Sequence, residues 1–78
     1  MKYILFKDFS GNSVPVIFPG RVKFDEMREQ IPYSEAVSAG FVRLVDGHVV
    51  CHGEARELGM TVRAQDAEII TSNLSQDD

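Results

Sequence analysis

At 78 residues, with 44% hydrophobic and 26% charged side chains, the chain has the composition of one small globular domain and is too short for two. Its net charge of −4 is uneven: residues 1–45 carry six Lys/Arg against five Asp/Glu, and residues 46–78 carry two against seven. No basic cluster is present to displace counterions from phosphate, so direct nucleic-acid binding is not expected, and the one cysteine, Cys51, excludes an internal disulfide.

The opening apolar run, Tyr3-Ile4-Leu5-Phe6, stops at Lys7. It is too short for the apolar region of a signal peptide or for a membrane span, which sets the expectation of a cytoplasmic chain without a membrane partner. Lys2 to Phe9 reads as a strand closed by the turn residues Ser10-Gly11-Asn12. Val14 to Phe18 reads as its hairpin partner. Pro15 cannot donate a ladder hydrogen bond, so this strand belongs at a sheet edge.

Phe24, Met27 and Ile31 fall at helical spacing, Asp25 suits the N-terminal end, and Pro32 ends the helix. Ala36 to Val45 returns to strand character. Asp46-Gly47 then predicts a type I′ turn into a strand from His48 to Gly53. Glu54 to Leu58 reads as one helical turn with Gly59 as a left-handed stop. The last helix is expected from about Ala64 to Leu74. Its buried stripe is Ala67, Ile70 and Leu74, with Asp66 and Glu68 at the positive end of the dipole.

The order, ββαββα, predicts a two-layer α+β domain over residues 1–74: an antiparallel four-stranded sheet with both helices on one face. Residues 75–78 are expected to form a frayed acidic tail.

The segment His48-Val49-Val50-Cys51-His52 holds the chain's thiol and both of its imidazoles. Neighbours on a strand point to opposite faces, so Cys51 and His52 cannot act as a nucleophile and base pair. His48 and His52 share a face but lie about 13 Å apart at ~3.3 Å per residue, too far for one metal ion. No catalytic residue, metal site or cofactor is therefore assigned.

A two-residue turn fixes the register. Leu44 with Val49 and Val42 with Cys51 share an apolar face where Cys51 reads as core. The opposite face carries Phe41, Arg43, Val45, His48, Val50 and His52, a mixture of apolar, aromatic and basic side chains suited to an interface.

Ser38-Ala39-Gly40-Phe41-Val42, Cys51-His52-Gly53, Leu58-Gly59 and Asp66-Ala67 resemble a group of short uncharacterised proteins of bacterial genomes and prophages. The resemblance implies bacterial or phage origin. It implies no mechanism and no functional residue.

The resulting expectation is a non-enzymatic protein that acts through protein contacts, either self-association through the Phe41 face or binding of another protein. The alternative is a small enzyme or ligand-binding protein using Cys51, His52 or His48. A third reading is an acidic inhibitor that mimics nucleic acid.

Overall fold

The computed structural model describes residues 1–75. Of the expected tail, Ser75 closes the last helix, and residues 76–78 lie outside the described residues.

Among the described residues, the main sheet contains β1 (Lys2–Lys7), β2 (Ser13–Phe18), β3 (Glu35–Val45) and β4 (His48–His52) in the order β2-β1-β3-β4, all neighbours antiparallel. The helix α1 (Phe24–Glu29) carries the chain from β2 past β1 to β3. β2 and β3 therefore run parallel to each other with β1 reversed between them. Pro15 lies in edge strand β2, as expected. β1 stops at Lys7, so Phe9 does not extend it. Asp8 instead accepts the Ser10 and Asn12 amides at 2.9 Å each, which turns the chain and leaves Phe9 exposed.

Asp46 and Gly47 have φ of 52° and 79°, the two positive values that a type I′ turn demands. The β3–β4 register is the one the turn dictates: Val45 opposite His48, Arg43 opposite Val50 and Phe41 opposite His52. After β4 the chain forms a small hairpin that was not anticipated, β5 (Glu54–Ala55) and β6 (Met60–Thr61), around a 3₁₀ turn at Arg56–Leu58. Gly59 closes the turn in the left-handed conformation.

The layering differs from the expectation. α1 delivers Phe24 to a core with Ile4, Phe6 and Phe18, whereas the final helix α2 (Asp66–Ser75) delivers Ile70 to a core with Tyr3, Leu5 and Val42. Ile4 and Phe6 point to one face of β1, and Tyr3 and Leu5 to the other. The helices thus lie on opposite faces. β1 explains why: its residues 3 to 6 are buried in both directions, and a sheet with two apolar faces requires cover on both. Burying a Phe24 or an Ile70 contributes roughly 1.5–3 kcal/mol each.

A register shift between Leu5 and Phe6 sets Leu5 opposite Ser38 and Phe6 opposite Ala36. Val37 is the extra residue of this bulge, and it packs in the α2-side core. Gly40 is a close-approach position. A Cβ there would lie 2.6 Å from Val62 Cγ2 and 3.1 Å from the His52 carbonyl, so the segment leading into α2 presses directly on the sheet.

Candidate contact surface

Asp66 lies at the first turn of α2 with Ile70 one turn later on the same stripe, so the apolar face that buries Ile70 buries the carboxylate too. Its charge is held by several donors. Tyr3 Oη donates to Oδ2 at 2.5 Å, the Arg63 amide to Oδ2 at 3.0 Å, and Arg63 Nε to Oδ1 at 3.2 Å. Burial pushes Asp66 up. The Arg63 amide, the Tyr3 and Ser38 hydroxyls and the Arg63 guanidinium outweigh it, and the carboxyl titrates below the ordinary aspartate range. The Ser38 hydroxyl is fully buried and acts on Asp66 through its dipole, without the alignment of a formed hydrogen bond.

Burial, then the Asp66 hydrogen bond and charge, raise Tyr3 far above an ordinary phenol. Cys51 lies beside this cluster and is half-buried, so the expectation of a fully buried core thiol is met only in part. Burial raises its pKa, the Tyr3 hydroxyl pulls it back, and the Asp66 charge raises it again. The net effect keeps the thiol protonated and poorly nucleophilic.

The structure does not bring Cys51 together with the histidines. Cys51 shares the α2 face with Val42, while His48 and His52 share the α1 face with Phe41. His52 stacks on the Phe41 ring at 5.8 Å between centroids. Phe41 in turn meets Phe24 of α1 edge-on at 5.7 Å. Phe41 is thus half-buried under α1, contrary to the idea that the helices leave this face open. Arg43, Val45, His48 and His52 remain exposed and Val50 is half-buried, so the mixed face is covered at the Phe41 end and open at the turn.

The opposite face is open at the same end. Leu44, expected in the core, is 70% exposed, and so is Leu74 of the expected helical stripe at 56%. α2 packs chiefly against β4 and β2, across the sheet and not along β3, so its cover does not follow β3 out to the turn. The β3–β4 hairpin overhangs its cover.

Beneath the overhang is a groove of about 320 Å³ with Ile17, Val42, Leu44, Val49, Ile70 and Leu74 in its lining. Met1 joins it, held on the sheet because its carbonyl accepts the Val42 amide at 2.8 Å. The sequence reading missed this rim. The helical spacing that places Leu74 below Ile70 marks a shared stripe but not where the sheet beneath it ends.

The edges of the sheet differ as well. β2 contains Pro15, while β4 reads His-Val-Val-Cys-His, with no proline and no Lys, Glu or Asp. Among the described residues no strand pairs with its outer side. Because Val45 and His48 flank a two-residue turn, His48, Val50 and His52 bond to β3, and the amides and carbonyls of Val49 and Cys51 point outward.

Among the described residues no group of His, Cys, Asp and Glu is arranged to hold a metal ion, and no helix is long and apolar enough to cross a membrane. Compared with protein-family models, curated proteins and solved structures, the chain matches none.

Proposed function

We propose that this protein works by contact with another protein chain, through the overhanging β3–β4 hairpin and the apolar rim beside it. The observation that carries this reading is the division of labour among its side chains. The groups with chemical potential, Asp66, Tyr3, Arg63 and Cys51, are tied together in a cluster that locks β1 and β4 to α2. Part of the exposed apolar surface flanks the β3–β4 hairpin, while Phe9 and Tyr33 are exposed singly at the other end of the sheet. Leu44 and Leu74 are exposed on one side of the hairpin, and Arg43, Val45 and His48 on the other. Contiguous exposed apolar surface of this kind marks an interaction site, and Arg is enriched in such sites.

An enzyme built on Cys51 and a histidine is less well supported, since the sheet stands between them and the thiol is held protonated. The experiment is binding by the parent and by Leu44→Asp, a substitution at an exposed position that leaves the core intact. The reading expects the variant to keep its circular dichroism and melting temperature while losing at least tenfold in association with whatever chain the parent binds. Equal binding by both proteins would refute the apolar rim at Leu44 as part of the contact surface.

A further inference from the structure

We propose that two copies of this chain pair through the outer edges of their β4 strands, antiparallel and with Val50 on the two-fold axis, forming one continuous eight-stranded sheet. This rests on the contact reading above and names the partner as a second copy.

Three observations support it. First, the outer groups of Val49 and Cys51 are the open valences of the edge, and an antiparallel copy centred on Val50 satisfies all of them. Val49 then faces Cys51 of the other copy, and each such pair exchanges two amide-to-carbonyl hydrogen bonds.

Second, the strand is self-complementary about Val50. Two residues to either side stand His48 and His52, and one residue to either side stand the small apolar Val49 and Cys51. Reversing the strand therefore sets like against like, as an isologous interface requires.

Third, His48 to His52 carry no formal charge in a chain of net charge −4, and the nearest acids, Asp46 and Glu54, lie outside the paired strand, in the turn and in β5. The opposite edge is blunted by Pro15, whereas this one lacks the lysines, prolines and inward charges that keep sheet edges apart. Five residues of edge are far fewer than the roughly 20–30 residues a side of a standard interface, so the pair is reversible and concentration-dependent.

The register is testable because only residues on the axis meet their own copies. In a Cys51→Ala background, Val50→Cys places two thiols in a pair that is not hydrogen-bonded on its outer side. The Cα separation there is about 4.5 Å, within disulfide range. His48→Cys places its two thiols roughly 13 Å apart, four residues of strand at ~3.3 Å each. Under mild oxidation the first variant should form a covalent dimer at least tenfold faster than the second, and the unmodified parent should shift from monomer to dimer in sedimentation as concentration rises. Equal oxidation rates with a dimeric parent would overturn the edge register. A parent monomeric from low micromolar to near-millimolar concentration would overturn the second copy as partner. Neither result bears on the apolar rim of the contact reading, which falls separately if binding is indifferent to Leu44→Asp. Circular dichroism of each variant verifies the fold, and parent sedimentation decides the partner even if a cysteine variant fails to fold.

Discussion

Tyr3 and Asp66 meet across 63 positions of chain, phenol donating to carboxylate at 2.5 Å, and this contact fastens the first strand to the last helix. Both residues are fully buried, so the bond forms away from water, where a charged acceptor makes it strong. Tyr3→Phe should cost about 2 kcal/mol, as loss of a hydrogen bond to a charged group does, and Asp66→Asn about 2–4 kcal/mol. Ser38→Ala should cost less than about 1 kcal/mol, because its hydroxyl is desolvated without a formed bond. Urea unfolding of the three variants gives the ranking. A Ser38→Ala cost equal to that of Tyr3→Phe would contradict it.

The same cluster sets the acid limb of stability. Asp66 titrates lower folded than unfolded, so the folded state binds fewer protons at that site. The stabilisation it contributes is present above the unfolded value near 3.9 and is lost as pH falls through the folded value. Unfolding followed from about pH 6 to about pH 2 should show a loss of stability that Asp66→Asn flattens. An unchanged slope in the variant would show that Asp66 carries no such linkage.

The alkaline limb has the opposite sign. Tyr3 and Cys51 are raised on folding, so each contributes stability below its unfolded pKa, and that stability declines above it. The thiol should react slowly with a disulfide reagent at neutral pH, and Tyr3→Phe, which removes the hydroxyl that pulls the thiol down, should slow it further by a small factor. Rapid modification of the folded protein at neutral pH would revive Cys51 as a nucleophile.

Gly40→Ala tests the contact between the sheet and the segment leading into α2. The added methyl meets Val62 Cγ2 at 2.6 Å and the backbone carbonyl of His52 at 3.1 Å. The side chain can shift, but the paired backbone cannot, which predicts a loss of about 1–3 kcal/mol. Val62→Ala should recover part of it. No recovery would place the strain at the His52 carbonyl.

How far the sequence discloses this molecule varies by element. The β3–β4 register follows from Asp46-Gly47 alone, because a two-residue turn leaves one pairing. Pro15 similarly places β2 at an edge. The layering was also legible, in the alternation of Tyr3 and Leu5 with Ile4 and Phe6. Apolar residues on both sides of one strand call for a helix on each face, and the expectation of one covered face set that aside. Asp66 reveals itself by standing four residues before Ile70, on the buried stripe. β5 and β6 were not legible, since two-residue strands are too short for alternation to register. Nor was the exposure of Leu44. Its side of the strand is set by period two, but its cover depends on which strands α2 packs against.

The most direct measurement of the contact surface is amide hydrogen exchange along β4 at low and high protein concentration. Val50 and His52 bond to β3 within one chain and should be protected at both. Val49 and Cys51 point outward and should exchange quickly in dilute protein, then slow at least tenfold as the copies pair. Rapid exchange of Val49 and Cys51 at every concentration, with Val50 protected throughout, would contradict pairing through this edge.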